Sequence, residues 1–599
     1  MDNVSQGGAR IRVIDGDGMA RRVSRRRRLV LVLNVVTVAL LFAGMAALLS
    51  VGGLVPLEWV MLVAYLVTLP WLSIGLWNSL IGYGLDRLHG EGAAAHVCPQ
   101  LERITGGEAI TSRVAIIMPL RNEDPEPSLA RLRQLQQALA MTRWGVQFDF
   151  HVLSDTDRPA IALREEAGIA QWKRAVPGVA LSYRRREDNT GYKAGNIAEF
   201  VGRCRDSYDF LLPLDADSAM GAETVLRMVR VMQVSPELGM LQSLVTGLPS
   251  RTFFTRAFQF GMRQGMRSYT LGSAWWQADC GPNWGHNVLI RMEPFAEQCM
   301  LPVLPGRGPL SGHILSHDQV EAALMRRAGF ECRVIAEESE SHEENPPSLA
   351  DFIRRELRWC NGNMQYFKLL GLQDLKAVSR VQLYLAIQMY LAAPAWMLFI
   401  LAGAALAAMP GQVESVPLWA GLSFFVLLMV LTLMPKLMGL AQVLAEPERA
   451  ASYGGRLRVV ASGAAEIPFS MLVSPVVALG LTRFMIGLAF GKRVGWDAQQ
   501  RSRQRLEWAE AVQVLWPQTL VGLALTGWIA MVAPWAVPFA APILLAMAFA
   551  IPIAVVSTLP AVSGWSLRLG LFDIPEDRMA EPPFALPEGL MEPLPAETA

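Results

Sequence analysis

Phe210–Met220 reads FLLPLDADSAM, and the way it is read decides the fold. A short apolar run bounded by turn-forming residues reads as a buried strand. This one drives straight into Asp215-Ala216-Asp217. Two readings of the acids are open. They hold a hard divalent cation through oxygen ligands, or an acid after a strand caps the next helix. Three residues alone do not separate the two.

The flanking sequence repeats the pattern. RVAIIMPL (Arg113–Leu120), FDFHVLSD (Phe148–Asp155) and VALSYRR (Val179–Arg185) read as three earlier strands. Between them lie helical stretches, one with Leu129, Leu132, Leu135 and Leu139 on one face, one over 160–173 and one over 192–204. Alternating strands and helices predict an α/β domain with a parallel sheet and right-handed crossovers. Ligands of such sheets bind beyond the carboxyl ends of the strands. There Asp155 joins Asp215 and Asp217. Acids crowded on one edge repel unless cations or donors offset them. Mg²⁺ or Mn²⁺, which share oxygen ligands with substrate phosphates, is the economical answer.

Three further stretches carry candidate chemistry. NTGYKAGNIAEF (Asn189–Phe200) puts Gly191, Lys193 and Gly195 at a helix entry. This suits a diphosphate, because glycines allow close approach and helix N-termini favour anions. An ordinary turn reads equally well. LSHDQVEAALMRRAGF starts an amphipathic helix at Asp318, an N-terminal acid, a general base, or both. PPSLADFIRRELRWCNGNMQY opens with Ser348 and Asp351 as a capping box. It sets Arg354 and Arg358, and Arg355 and Trp359, one turn apart. Such a helix before a membrane span binds lipid headgroups, or gives cations to a leaving diphosphate and an aromatic platform to a sugar. His313 and His317 lack the Glu of H-E-x-x-H and read as polar residues rather than a zinc site.

The chain has 599 residues, 52% hydrophobic and 18% charged, with the apolar excess in blocks towards both ends. That is a membrane protein with a water-soluble insert. A net charge of +1 suggests no nucleic-acid partner. RRVSRRRR (Arg21–Arg28) precedes the apolar run Leu29–Leu49, too long for a signal-peptide core, so a retained span is expected with its basic side cytoplasmic. A second span, about Leu57–Leu80, returns the chain.

The expected organisation is a disordered basic stretch over 1–28, two spans over 29–80 and a cytoplasmic domain over 81–380 with an interfacial helix near 348–368. A membrane bundle over 381–560 follows, with an amphipathic, gating-like segment near 459–512, then a solvated cytoplasmic tail over 561–599. Spans are expected at Leu383–Ala408, Leu418–Leu440, Val512–Ala533 and Pro538–Pro560. Residues 459–490, broken by Pro468 and Pro475, read as one kinked span, two short ones, or a span plus an interfacial helix. The basic GKRVGWDAQQRSRQR after them favours an even number of crossings. Six cysteines without a C-x-x-C pair read as free thiols of a reducing compartment.

Taken together, Asp155, K-A-G-N at Lys193–Asn196, D-A-D at Asp215–Asp217, His317-Asp318 and R-x-x-R-W at Arg355–Trp359 occur in the order seen in processive family-2 glycosyltransferases. MPLRNEDP, GYKAGNIAEF, PLDADSAM, SHDQVEAALMRRAGF and RRELRWCNGN resemble most the glucans biosynthesis glucosyltransferase H family. That resemblance implies a GT-A domain between membrane helices of the bacterial inner membrane, with both termini cytoplasmic. It implies transfer of glucose from UDP-glucose to a growing β-1,2-linked glucan acceptor, the backbone of osmoregulated periplasmic glucans. By the same resemblance Asp155 contacts the uridine part and Lys193 the diphosphate, while Asp215 and Asp217 serve the metal and donor sugar. Asp318 is the base. Arg355 and Arg358 hold the diphosphate, and Trp359 and Cys280, in ADCGPNWGHNVLI, face the acceptor. Acyl carrier protein is associated with the family, but no residue here marks a docking site for it. The sequence departs from cellulose-type synthases in Ser316-His317-Asp318 for T-E-D and in Arg355 for Gln. A lipid-linked sugar transferase and a nucleotide-binding transporter are the rival readings.

Overall fold

The computed structural model describes residues 16–409, 417–492 and 505–578. The first fifteen residues, the loop expected between two spans at 410–416, the gating-like stretch at 493–504 and the tail from 579 lie outside the described residues.

The sheet is built from β1 (Val114–Leu120), β2 (Phe148–Ser154), β3 (Leu181–Arg185), β4 (Phe210–Pro213), β6 (Leu238–Ser243), β8 (Val288–Arg291) and β9 (Glu331–Ile335) in the order β3-β2-β1-β4-β8-β6-β9. β5 (Ala219–Met220), β7 (Thr246–Gly247) and β10 (Ser341–Glu343) form a small second sheet in the order β5-β10-β7. β3, β2, β1 and β4 are mutually parallel, with Ile116 opposite both Phe150 and Leu212. β8 is the correction to the all-parallel expectation, because it runs antiparallel to both β4 and β6. The chain reaches β8 from a loop at the carboxyl edge of the sheet, so it enters the sheet in the reverse direction.

Both faces of the sheet are covered, which explains why its strands are apolar without alternation. Val114, Ile116 and Met118 pack with Leu132, Leu135 and Trp172 on one side. Ala115 and Ile117 pack with Ile197, Phe200 and Leu324 on the other. This second core runs on into Leu383, Ile387 and Tyr390 of the helix Ala377–Leu406. The soluble domain and the apolar helices therefore share one hydrophobic cluster.

Among the described residues six helices are long and apolar enough to cross a membrane, at Gly16–Leu49, Pro56–His89, Ala377–Leu406, Leu418–Ala445, Arg456–Ala489 and Trp508–Val532. The expected straight span at Pro538–Pro560 is instead two helices, Val537–Ala548 and Ala550–Val556, meeting at a 64° bend. Pro552 cannot donate to the carbonyl four residues back, so the first helix stops there. Residues 456–489 are one continuous helix that contains both prolines, which excludes two short spans. A single helix crosses once or not at all, so an even number of crossings corresponds to a helix lying along the membrane face. Lys436, an isolated charge in the apolar sequence, is paired with Glu466 of this helix.

At both ends the described residues depart from what was expected, a disordered N-terminus and a solvated tail. From Gly16 onward the basic N-terminus is helical, continuous with the first apolar helix. Arginine is a good helix former, and Arg27 is anchored to the sheet domain. At the other end Phe572 and Ile574 are buried, although a solvated tail was expected. Arg256 donates to the Leu571 carbonyl at 2.7 Å and to Asp573 at 2.8 Å, and Arg263 to Glu576 at 2.8 Å. The acids of the tail read as solvated because their partners lie some three hundred positions earlier. These arginines stand on the helix Phe253–Gln277, seven residues apart and so on one face. That helix also crosses Pro56–His89 with the backbones in contact. A Cβ on Gly82 would lie 1.6 Å from the Ser268 carbonyl oxygen, and one on Gly272 1.9 Å from that of Asn78.

Candidate active site

The carboxyl edge of the sheet opens into a cleft of about 430 Å³. Asp155, Lys193, Asp215, Asp217, Asp318, Arg355, Arg358 and Trp359 all line it. β1 and β2 end level, with Leu120 opposite Ser154, so Asp155 emerges at the edge. Leu214 still donates to Ile117 at 2.8 Å, and the chain then leaves the sheet with Asp215 to Asp217.

On this side the charges are already matched. Arg186 grips Asp155 with two bonds of 2.8 and 2.7 Å, and Asn196 donates to it at 2.7 Å. Arg186 also donates to the carbonyls of Thr190 at 3.2 Å and Tyr192 at 3.1 Å, which ties the end of β2 to the K-A-G-N turn. Lys193 donates to Asp215, and to the Gly285 carbonyl at 2.8 Å. Burial works against its ammonium, but Asp215, Asp318 and Glu321 outweigh this and hold its pKa above the usual lysine range. The glycines of the turn serve its own packing. Gly191 adopts φ 76° as the N-cap of helix Tyr192–Cys204, and a Cβ on Gly195 would lie 2.1 Å from the Thr190 oxygen.

Asp318 opens the helix Asp318–Arg327 beneath the cleft. Burial raises its pKa, and Glu321 adds to that, while His317 and Lys193 pull it back. A carboxylate so placed is a stronger base than one in water. His317 does not point to a metal. Its Nδ1 meets Glu321 at 2.9 Å, and Asn283 donates to the same carboxylate at 3.3 Å.

The helix Leu349–Met364 closes the other side, started by the expected Ser348 cap, which accepts from the Asp351 amide at 3.2 Å. Its arginines divide. Arg354 turns away to Asp351 at 2.9 Å and Glu510 at 2.7 Å. Arg355 faces the cleft, its guanidinium 4.5 Å above the Trp359 ring and 5.1 Å from Phe352. Trp359 remains 46% exposed. Nε of Arg355, and Nε and Nη1 of Arg121 across the cleft, are buried without a hydrogen-bond partner among the described residues.

Cys280 is not brought to the cleft, which corrects its expected acceptor role. It is buried where the loop before β8 bridges to Cys332. The loop runs on past it, and the residues that reach the cleft are Trp284, Gly285 and His286. His286 is a site residue that sequence reasoning missed. Its Nδ1 lies 3.1 Å from Ser218 Oγ and its Nε2 3.3 Å from Glu343. Burial opposes its charge, but Glu343, Asp215 and Asp217 push its pKa up to about 9. No local pattern signals this, because Glu343 follows far along the chain on β10.

Among the described residues no group of three or more His, Cys, Asp and Glu is arranged to hold a metal. The donor set at Asp215 and Asp217 is two hard carboxylates facing a cleft. This fits Mg²⁺ or Mn²⁺ shared with substrate oxygens, and not a closed protein cage. A second cavity of about 240 Å³ shares Trp284, Gln319 and Met389 with the cleft. Trp71, Tyr269 and Trp276 line it with amide side chains, among which the Oε1 atoms of Gln277 and Gln319 are buried without a hydrogen-bond partner.

Residues 210–437, from β4 to the fourth apolar helix, match the model of glycosyl transferase family group 2. The glucans biosynthesis glucosyltransferase H of Bradyrhizobium diazoefficiens is 35% identical over 90% of this chain and 73% of its own. The chain belongs to the glucans biosynthesis glucosyltransferase H family. Members from Vibrio cholerae (35% identical, 88% of this chain and 74% of the relative) and Xylella fastidiosa (34%, 89% and 85%) extend the match. As a member of the glucosyltransferase H family the chain is a family-2 glycosyltransferase, with its mixed α/β domain flanked by long apolar helices. Among solved structures, a mannosyltransferase from Pyrobaculum calidifontis in complex with GDP-Man and Mn²⁺ aligns with a TM-score of 0.37 and 14% identity, over 61% of this chain and 97% of that one.

Proposed function

We propose that this chain transfers glucose from UDP-glucose to the growing β-1,2-linked backbone of osmoregulated periplasmic glucans at the bacterial inner membrane, by a single inverting displacement. One observation carries the reading. A single cleft gathers the sheet-edge acids, a buried base, two arginines and a half-exposed tryptophan. The relatives' names supply glucan and glucose.

In this reading Asp155, set by Arg186 and Asn196, meets the nucleoside end of the donor. Asp215 and Asp217 hold the cation and the donor sugar. A bound Mg²⁺ or Mn²⁺ supplies positive charge against the departing diphosphate. Lys193, Arg355 and Arg358 add fixed charge there. Asp318 takes the proton of an acceptor hydroxyl whose oxygen attacks C1, and the bond from C1 to the diphosphate oxygen breaks with UDP as leaving group. A sugar ring stacks on Trp359. The adjoining cavity, aromatic-walled and lined by amides with unfilled acceptors, suits the next sugars of a neutral chain. Contacts of Arg27 and of residues 571–578 with the sheet domain support both ends lying on its side of the membrane.

The test is purified protein in lipid nanodiscs with UDP-glucose, Mg²⁺ and an oligoglucan primer, followed by linkage mapping. The expected product is a longer β-1,2-glucan with stoichiometric UDP. A chloroform-soluble product would move the chain to the lipid-linked sugar transferases, and other linkages to another β-glycan synthase.

A further inference from the structure

The loop 278–287, between the helix Phe253–Gln277 and β8, is held unusually hard. Ala278 and Asn287 take positive φ, 50° and 52°, as does Gly285 at 85°. For an alanine this persists only where the surroundings enforce it. The loop in turn grips the helix of Asp318 along its length. At the start of that helix Gly285 sits against Asp318, where an added Cβ would lie 3.4 Å from the aspartate Cβ. In the middle Asn283 donates to Glu321 at 3.3 Å. At the end Arg326 binds Asp279 at 2.7 Å. The loop also gives Lys193 its carbonyl partner at Gly285.

Bonds to β9 at Cys332 and to Gln242 of β6 hold the middle of the loop, and its first residues are held from the far end of the chain. Arg27, in the basic run of the first membrane helix, donates to the carbonyls of Trp276 at 3.1 Å and Gln277 at 2.7 Å, and to Asp279 at 2.7 Å. Asp279 therefore lies between two guanidiniums, one from the first helix and one from the helix of the base. Its side chain is 16% exposed, so the pairs are sheltered from bulk water.

We propose that Arg27 and Asp279 are positioning residues: through the loop 278–287 the first membrane helix sets the place of Asp318. The basic run then does more than choose the side of the membrane. This rests on the glucosyl-transfer reading, with Asp318 as base.

The experiment uses the full chain in nanodiscs, as Arg27→Ala, Arg27→Lys, Asp279→Asn and the Arg27→Ala/Asp279→Asn double variant. Misplacement of a base by a fraction of an ångström lowers turnover, so kcat should fall about tenfold in Arg27→Ala, with KM for UDP-glucose unchanged within about twofold. Arg27→Lys should recover most of the loss. The double variant should be little worse than Asp279→Asn, since both changes break one linkage. Hydrogen exchange should rise in 278–287 and at the start of 318–327, with thermal unfolding unmoved. Equal kcat in Arg27→Ala, or additive losses, overturns the proposal. So does unchanged exchange in the loop, a readout that stands even if wild-type protein transfers no glucose. Wild-type inactivity with UDP-glucose would instead defeat the functional reading.

Discussion

The two sides of the cleft are prepared in opposite ways. On the sheet edge the charges have partners from within the fold, Asp155 with Arg186 and Asp215 with Lys193. On the arginine helix Arg355 packs against the rings of Trp359 and Phe352, its Nη2 reaches Glu356 only at 3.4 Å, and its Nε has no hydrogen-bond partner among the described residues. A ligand reaching the sheet edge must exchange one set of ion pairs for another. One reaching Arg355 meets an Nε that gives no bond up. The first side thus resists a ligand that cannot replace its ion pairs, and the second offers an unspent donor to negative charge.

This contrast can be broken by substitution. If Asp318 is the base, as proposed, Asp318→Asn should lower glucose transfer by about a thousandfold while UDP binding survives, as separate turnover and binding assays would report. Near-normal turnover would end the assignment. Asp217→Asn acts on the sheet edge alone. A loss of about a hundredfold is expected, with a raised Mn²⁺ requirement in a metal titration, and chelation should silence wild type. Trp359→Ala acts on the arginine side. KM for the oligoglucan primer should rise about tenfold, with UDP-glucose KM little changed. Equal effects on both substrates would mean that the two sides do not divide the work.

The smallest test concerns pH. Burial raises the Asp318 pKa, so this carboxylate takes up its proton at higher pH than an ordinary aspartate. Turnover should accordingly fall on the acid side earlier than an aspartate in water would dictate, while Kd for UDP, measured by calorimetry, stays level over that range.

The sequence carried the parts of this site whose signals are local. Strands β1 to β4 were legible from apolar runs and the helices between them. The helices of Asp318 and of Arg355 were legible from caps and spacing. What escaped reading was pairing at a distance. Neither the Arg186 grip on Asp155 nor the pairing of His286 with Glu343 has a spacing to betray it. β8 reversed direction because of where its loop returns, which no propensity encodes. Cys280 was expected at the cleft because a motif match fixes a loop but not which of its residues reaches the site; here Cys280 is buried beside Cys332 and outside the cleft lining. The tail was misread because acidic, proline-bearing sequence looks solvated until its buried arginines are known.

The crossing of Pro56–His89 by Phe253–Gln277 has a consequence for how such a molecule is made. The earlier helix leaves the ribosome long before the later one and enters the bilayer first. The matching glycines, Gly82 and Gly272, let the two backbones meet and so fix how closely the later helix seats on the earlier one. A side chain added at either position would hold the two apart, so neither site is free to vary while the other stays as it is. Two hydrogen atoms standing where side chains would be set the distance between the helices.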